Sequence, residues 1–199
     1  MTGQSTKEQI IQVADDLFYR QGYAKTSFAN IAQAVQISRG NFYHHFKTKD
    51  QILDAVIGLR LNRTRQMLDD WEEGVSPQKR IERFIGILIM NRAKIARFGC
   101  PVGSLCTELS KLEHSAQDKA NKLFEMFQDW LQRQFVLAGR GDDAETLSKR
   151  LLAHSQGVAT LAQAFEDEAY IDQEVDHLNA WLHDELERGT EGKESDQCI

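Results

Sequence analysis

Hydrophobic residues recur at helical spacing along nearly the whole chain, and no stretch alternates with the period of two that marks a strand. Near the start, Ile10, Ala14, Leu17 and Phe18 fall at positions i, i+4, i+7 and i+8. Gly22 follows them where a helix C-cap is expected. The pattern predicts an all-α protein of about nine helices, the first of which ends at Gly22.

Two short predicted helices joined by a tight turn follow within residues 27–46. An apolar stripe at i, i+3, i+4 and i+7 marks the second helix, and consists of Phe28, Ile31, Ala32 and Val35. Thr26 or Ser27 can cap that helix, and Ser38 can cap the third, which turns Phe42 and Phe46 inward. This arrangement is typical of a helix-turn-helix, in which one helix braces and the other enters the major groove of DNA.

Longer predicted helices occupy the rest of the chain. Lys49 opens a fourth helix, over 49–72, that connects two domains, and Ser76 with Pro77 begins the fifth. The others run over about 77–97, from Pro101 through 109, from about 115 to the 139–141 loop, from Asp142 or Asp143 to 165, and from Asp172 to 188. The sequence thus predicts a three-helix helix-turn-helix domain at 1–50, a helical domain at 77–188 and a flexible polar tail at 189–199.

Charge is distributed unevenly along the chain. The net formal charge is −6, which argues against a protein that binds nucleic acid by bulk charge alone. Counted by segment, the net charge is +2 over 1–50, +3 over 51–99 and −11 over 100–199. The predicted helix-turn-helix is therefore free to approach a polyanion.

Several classes of protein are disfavoured by what the sequence lacks. Three cysteines, Cys100, Cys106 and Cys198, form no CxxC pair, so neither a disulfide framework nor a structural metal site is expected. No apolar stretch approaches the roughly 18 residues of a membrane span, and the expected location is the cytoplasm. Ser76 and Lys79 match S-x-x-K without its partner motifs. We expect no enzyme activity, cofactor or membrane partner.

The third helix presents a polar outer face. At about 100° per residue, Gly40 and His44 lie opposite the buried phenylalanines, flanked by Asn41 and Tyr43. Arg39, in the first turn, can make a bidentate contact with guanine, and Asn41 can pair with adenine. The other predicted contacts are mainly to phosphates, and the full set of predicted DNA-binding residues is Thr26, Ser27, Ser38, Arg39, Gly40, Asn41, Tyr43, His44 and Lys49.

The same segment resembles a known family. The run from Gly22-Tyr23 through Thr26-Ser27, Ile31-Ala32, Ile37-Ser38, Arg39-Gly40, Asn41-Phe42-Tyr43 and His45-Phe46 to Lys49-Asp50 is similar to the N-terminal domain of TetR-family transcriptional repressors. The resemblance covers roughly residues 6–57. Gln36 stands where the family usually has glycine, and a left-handed residue there costs about 1 kcal/mol without glycine.

The resemblance implies a C-terminal domain that binds a small effector and pairs with a second subunit through the last two long helices, the eighth and ninth predicted. Their apolar and small residues fit a homodimer, which reads two half-sites of double-stranded operator DNA. For the effector pocket the candidates, each also explicable as plain core, are Phe84, Leu88, Cys100, Leu105, Phe124, Phe127, His154 and Phe165. Cys100 precedes a helix N-terminus and is either a reactive thiol or a small buried hydrophobe.

The sequence thus favours a dimeric DNA-binding regulator, most simply a repressor that a small molecule releases from its operator. An architectural DNA-binding protein without an effector is the alternative, and it predicts weak operator preference and a filled C-terminal core. The sequence does not identify the effector or the operator.

Overall fold

A computed structural model describes residues 5–196, except for the side chains of Arg39 and of 189–196. Ten helices form this part of the chain: α1 (Thr6–Gln21), α2 (Phe28–Val35), α3 (Arg39–His45), α4 (Lys49–Glu72), α5 (Pro77–Met90), α6 (Arg92–Phe98), α7 (Pro101–Lys111), α8 (Gln117–Leu137), α9 (Ala144–Phe165) and α10 (Glu168–Asp196). The all-α prediction is confirmed. None of these helices is long and apolar enough to cross a bilayer.

The tenth helix arises because the predicted helix over 77–97 is interrupted. Asn91 ends α5 and precedes α6, with its side-chain Nδ2 donating to the carbonyl of Ile87 at 3.0 Å. An asparagine side chain competes in this way with the backbone bonds of a helix. The sequence pattern missed the break because the apolar spacing continues across it.

Local capping signals mark four helix ends correctly. Ser27, rather than Thr26, caps α2, and Ser38 caps α3, each through its hydroxyl. Ser76 caps α5, with Pro77 as the first helical residue. Gly22 ends α1 at a φ of 89°, which is a conformation that glycine adopts without strain.

The beginning and end of α10 were predicted incorrectly. The helix begins at Glu168 instead of Asp172, because Asp167 accepts hydrogen bonds from the backbone N–H groups of Ala169 and Tyr170. It continues to Asp196 beyond Arg188, so the predicted tail at 189–199 is helical over 189–196. The helix continues through Gly189 because an interior glycine costs a helix only about 1 kcal/mol. Residues 197–199, including Cys198, lie outside the described residues.

The chain packs as two units that are discontinuous in sequence. The first unit contains the residues up to Arg65 together with Pro101–Leu123. Its core includes Ile10, Phe18, Ile31, Phe42, Phe46, Ile52 and Leu53. Helix α7 packs on α1 and buries Leu105, Cys106 and Leu109. The helix-turn-helix is therefore packed with a helix that the predicted boundaries at 50 and 77 assign to the other domain.

The second unit contains Gln66–Cys100 and the chain from Phe124 onward. Helices α5 and α9 both pack against α10, and α6 packs against α9. One continuous apolar core fills this unit, with Ile81, Ile85, Trp130, Leu131, Phe135, Leu151 and Ala162 among its most buried members. The prediction that 77–188 binds an effector stays a prediction.

Candidate nucleic-acid interface

The start of α2 is fixed by a reciprocal cap. Asn30 donates its backbone N–H to the Ser27 hydroxyl at 3.2 Å, and the Ser27 backbone N–H donates to the Asn30 side chain at 2.8 Å. This capping box leaves the N–H groups of the first helical residues unbonded within the helix. A helix N-terminus of this kind attracts a phosphate.

The turn between α2 and α3 passes through a left-handed residue. Gln36 has φ 61° and ψ 39°, and the following N–H, that of Ile37, donates to the Ala32 carbonyl at 3.2 Å. These bonds form a tight helix end of the kind that glycine usually provides. The left-handed conformation whose cost was predicted at Gln36 is therefore present.

Helix α3 is anchored by one face and exposed on the other. Phe42 and Phe46 are buried in the core of the first unit. On the outer face, the exposed residues from the predicted set are Ser38, Gly40, Asn41, Tyr43 and His44. Arg39 is the first residue of α3, but its predicted base contact lies outside the described residues.

Aromatic stacking holds the outer face in place. The Tyr43 ring is 48% exposed and stacks on Phe28 of α2, with ring centroids 5.6 Å apart and planes at 19°. Phe28 also meets Phe42 edge-on at 5.1 Å. Lys47 donates to the Tyr43 carbonyl near the end of α3. These contacts hold the Tyr43 ring on the exposed face, where its hydroxyl is the predicted phosphate donor.

Three predicted phosphate ligands, Ser27, Thr26 and Lys49, donate hydrogen bonds within the unit. The Ser27 hydroxyl donates to Asn30 Oδ1 at 2.6 Å. Thr26 is 1% exposed, and its hydroxyl donates to the Gly22 carbonyl at 2.7 Å. The Thr26 hydroxyl is therefore occupied within the unit, and its contact with DNA stays a prediction. The ammonium of Lys49 donates to the Tyr23 carbonyl at 3.0 Å and lies 4.1 Å from the Tyr23 ring centroid. Because an ammonium has three N–H donors, this bond leaves Lys49 able to donate to a phosphate as well, and that contact stays a prediction.

The α1–α2 connection is held by residues that sequence reasoning missed. Glu108 of α7 accepts hydrogen bonds from the backbone N–H groups of Tyr23 at 2.8 Å and Ala24 at 2.9 Å. A Cβ at Gly22 would lie 3.0 Å from the same carboxylate. Lys49 donates to a carbonyl of this connection, and Glu108 accepts from its N–H groups. The segment that leads into α2 is thus held by hydrogen bonds to its N–H groups and to one of its carbonyls.

A second contact joins α1–α2 to α4 and to the α7–α8 connection. The Tyr23 hydroxyl donates to Asp50 Oδ1 at 2.5 Å, and His114 Nε2 lies 3.3 Å from the Tyr23 oxygen. His114 Nδ1 accepts from the Ala116 N–H at 3.0 Å, so in neutral His114 the proton is on Nε2. Burial, followed by the hydrogen bond to Asp50, raises the pKa of Tyr23, and the bond from Tyr23 holds the pKa of Asp50 below its usual range.

The predicted effector residues do not come together in one place. Phe84, Leu88 and Phe127 belong to the core region of the second unit, with the Phe84 and Phe127 rings 5.6 Å apart, and Cys100 packs against that core. Leu105 belongs to the first unit. His154 is exposed on α9 and pairs with Glu174 at 2.8 Å, while Phe165 is 74% exposed. Those last two side chains face outward, because α9 turns other residues to the core.

Phe124 begins the C-terminal part of the second unit and is half-buried. A cleft of about 670 Å³ lies instead in the first unit, beside the Tyr23 network. Its lining includes His45, Asp50, Asp54, His114 and Lys119. None of the eight predicted effector residues contributes to this cleft.

Comparisons with known proteins agree with this geometry. Residues 10–56 match the family described as bacterial regulatory proteins, tetR family. An uncharacterised HTH-type transcriptional regulator of Lactococcus lactis is 29% identical over 123 residues, which are 60% of this chain and 63% of that protein. The regulator TtgR of Pseudomonas putida is 39% identical over 54 residues, or 27% of this chain and 26% of its own. The chain thus spans less than two thirds of these curated relatives.

The similarity extends over the whole fold in a solved structure. A TetR transcriptional regulator from Legionella pneumophila is 27% identical, with a TM-score of 0.80 and coverage of 91% of this chain and 98% of that chain. The family match lies on the helix-turn-helix, and the structural match includes the helices that follow it. Residues 10–56 thus match the DNA-binding helix-turn-helix of the tetR family, and the fold as a whole is similar to that of a TetR transcriptional regulator.

Proposed function

We propose that this protein is a dimeric, sequence-specific repressor that a small-molecule effector releases from operator DNA. The outer face of α3 is the observation that supports this most strongly. Arg39 contacts guanine and Asn41 contacts adenine in the major groove. Ser38, Tyr43 and His44 contact phosphates, which fix the register of the helix on the duplex. The curated relatives that match part of this chain are transcriptional regulators. We therefore propose no catalytic reaction.

Dimerisation through α9 and α10, the eighth and ninth helices of the sequence prediction, is supported by an uncovered face of α9. Small and apolar residues recur there every three or four positions and are all exposed: Ala153, Gly157, Leu161, Ala164 and Phe165. Small residues let two helices approach closely, and a second copy of the chain buries the apolar ones. A two-fold dimer also provides two recognition helices for two half-sites.

Release by an effector is supported by the position of α7. Glu108 of this helix accepts hydrogen bonds from the connection into α2. Arg60 of α4 donates to the carbonyl of Pro101, the first residue of α7, at 2.6 Å, and to Asp15 of α1 at 2.6 Å. We infer that an effector shifts α7 and thereby α2, so that the recognition helices no longer match the half-site spacing. Energetically, the effector favours the conformer with lower DNA affinity.

A thiol-reactive effector is a narrower version of this proposal. Cys100 directly precedes α7 and is half-buried, and a helix N-terminus favours the thiolate form. Modification of Cys100 therefore releases the operator by displacing α7. The Cys100→Ser variant is expected to keep operator binding and to lose its response to an electrophile such as N-ethylmaleimide. An unchanged response contradicts this version alone.

The main experiment is the selection of operators from random duplex DNA at physiological salt. A dimeric repressor selects a site with two related half-sites, whereas an architectural protein enriches little. Asn41→Ala is expected to weaken binding to the selected site by about 1–3 kcal/mol, with relaxed preference at one base. Asn62→Ala, an exposed asparagine on α4, is the matched control. Failure to enrich any sequence rejects the proposed function.

Substitutions of Glu108 test whether its contact with the α1–α2 connection matters for DNA binding. Glu108→Ala is expected to weaken operator binding, because α2 loses the contact that positions its N-terminus. Glu125→Ala, at an exposed position of α8, controls for the loss of one negative charge. Equal affinity of Glu108→Ala and the unmodified protein for the operator excludes this contact from DNA recognition.

A further inference from the structure

Two histidines and one glutamate form a cluster where α9 and α10 pack side by side. His154 of α9 has its Nε2 2.8 Å from Glu174 Oε2 of α10, and His177 has its Nδ1 3.4 Å from Glu174 Oε1. We call these three residues the His154–Glu174 cluster. The Glu174 side chain is only 17% exposed, whereas His154 and His177 are 44% and 72% exposed. One carboxylate thus meets two imidazoles that solvent protons can reach.

The cluster adjoins the uncovered face of α9. At about 100° per residue, His154 lies only about 20° from Leu161 around the helix, and both side chains are exposed. Glu174 and His177 continue the same surface onto α10, because Glu174 contacts His154 directly. A second copy of the chain that covers the stripe containing Gly157 and Leu161 therefore also lies against His154.

The helices that would form this interface are strongly acidic. From 144 to 188, the chain carries three basic and ten acidic residues, a net formal charge of −7. A two-fold dimer through α9 and α10 brings two such charges together, and their repulsion opposes association. Burial of the apolar stripe has to exceed that repulsion.

Protonation changes the charge of the cluster in the direction that relieves this repulsion. With both imidazoles neutral, each cluster carries the single negative charge of Glu174. Histidine ordinarily changes charge between pH 5 and 8. The hydrogen bond from His154 is the main cause that lowers the pKa of Glu174, so the carboxylate stays ionised while the histidines gain protons. One proton brings the cluster to zero charge, and a second makes it positive.

Other charged side chains near the cluster have partners of their own. Arg150, one turn before His154, lies over the Trp181 ring at 5.1 Å and 3.6 Å from Glu185. Asp184 is exposed two turns beyond His177. The elements packed against α9 and α10 add charged residues whose ion pairs and hydrogen bonds among the described residues do not involve the cluster: Arg92, Lys94 and Arg97 on α6, and Lys79, Arg80, Glu82 and Arg83 on α5.

We propose that dimerisation through α9 and α10 is coupled to proton uptake by the His154–Glu174 cluster, so that the dimer becomes tighter as pH falls from 8 to 6. The inference rests on the dimer of the proposed function. Each proton removes one negative charge from an acidic interface, and it converts the bond between His154 and Glu174 into a charge-assisted one. Because linkage is reciprocal, a dimer that binds protons more tightly than its monomers is favoured at lower pH.

Sedimentation velocity with fluorescence detection measures the Kd of the dimer for the full chain at pH 8 and pH 6. We expect Kd to be at least about fivefold lower at pH 6, the lower end of typical coupling between two binding events. Added salt at pH 8 should also tighten the dimer, because it screens repulsion between like charges. If dilution does not dissociate the dimer, the dependence of urea unfolding on protein concentration gives the same constant.

Substitutions locate the protons. The double variant His154→Gln, His177→Gln keeps N–H donors for Glu174 but does not titrate, so it should dimerise at pH 8 and lose the tightening at pH 6. His154→Gln alone should lose part of the tightening, and serves if the double variant does not fold. His183→Gln is the matched control, since His183 lies about 180° from Glu174 around α10 and pairs with Glu187 at 3.0 Å. It should keep the full pH effect.

Several results overturn the proposal. They are an equal Kd at both pH values, a lower Kd at pH 8, or an undiminished pH effect in the glutamine variants. A chain that stays monomeric at both pH values overturns it together with the proposed dimer. Operator selection separates the remaining cases: a dimer insensitive to pH that selects an operator rejects the coupling alone, and a dimer coupled to pH that selects no operator rejects the repressor alone.

Discussion

Gly40 offers the sharpest test of the proposed recognition face, because one methyl group should change stability and DNA binding in opposite directions. Gly40 is the second residue of α3 and is exposed. A Cβ built on its backbone meets no atom within 4 Å. Gly40→Ala therefore introduces no clash in the free protein.

The stability effect follows from helix propensity. Alanine is favoured over glycine by roughly 0.5–1 kcal/mol within a helix, because glycine loses more backbone entropy on folding. In a chain of 199 residues, 1 kcal/mol raises Tm by roughly 2–4 °C. Gly40→Ala is expected to raise Tm by about 1–4 °C in a calorimetric or fluorescence melt.

The DNA effect has the opposite sign. If α3 lies in the major groove, the added methyl group separates the helix from the bases, and Asn41 beside it loses its contact geometry. We expect specific operator affinity to fall by at least about tenfold, equivalent to 1.4 kcal/mol, while binding to random DNA changes little. Fluorescence anisotropy with the selected operator measures both affinities.

Gly86→Ala on α5 is the matched control, since its Cβ also meets nothing within 4 Å and it lies in the second packing unit. It should raise Tm and leave operator affinity unchanged. A Gly40→Ala protein with higher Tm and full affinity refutes the placement of this face in the groove. Weaker binding with a lower Tm instead indicates a damaged helix, and the reasoning from open space at Gly40 fails.

Three further predictions concern the turn, the Tyr23 network and the dimer. Gln36→Gly should raise the free energy of unfolding by about 1 kcal/mol in urea titrations, because Gln36 has φ 61°; a decrease contradicts the strain. The pKa of Asp50 is lowered chiefly by Tyr23, so Asp50 stabilises the fold above the pKa of its unfolded carboxyl and loses this effect as pH falls through the folded pKa. Tyr23→Phe should therefore lose less stability than the unmodified protein between about pH 4 and pH 2, and parallel stability curves would exclude this linkage. Gly157→Ala adds a methyl that meets nothing within one chain and should weaken dimerisation in sedimentation velocity; unchanged association removes Gly157 from the interface.

Features that depend on neighbouring residues were the ones that the sequence predicted well. The caps at Ser27, Ser38 and Ser76 each act on a backbone group three positions away, so the residues that decide the helix start stand together in the sequence. The same locality explains the buried Phe42 and Phe46, which lie one turn apart. The all-α fold and the helix-turn-helix followed from such signals.

The chemistry of a side chain could be read from the sequence, but the partner that it contacts could not. Thr26 and Lys49 have the chemistry of phosphate ligands, but the Thr26 hydroxyl donates to the Gly22 carbonyl, and the Lys49 ammonium directs one of its three donors to the Tyr23 carbonyl. His154 was expected in a pocket and pairs with Glu174 on an exposed surface. In each case the hydrogen-bond partner is a backbone carbonyl or a side chain of another helix. Helical periodicity does not predict which of the available partners a side chain contacts.

The hydrogen bonds from the Tyr23 and Ala24 N–H groups to Glu108 show why the packing units of the chain differ from the domains predicted from its sequence. The bond joins residues 85 positions apart, and no spacing rule connects them. The break at Ser76 and Pro77 suggested that DNA recognition ends there, yet α7 packs with the helix-turn-helix. The Glu108 carboxylate accepts from two N–H groups at the entrance to α2, the helix whose N-terminus we propose contacts a phosphate. If Glu108→Ala weakens operator binding as proposed, regulation of α2 needs only a displacement of α7, and α4 need not transmit it alone.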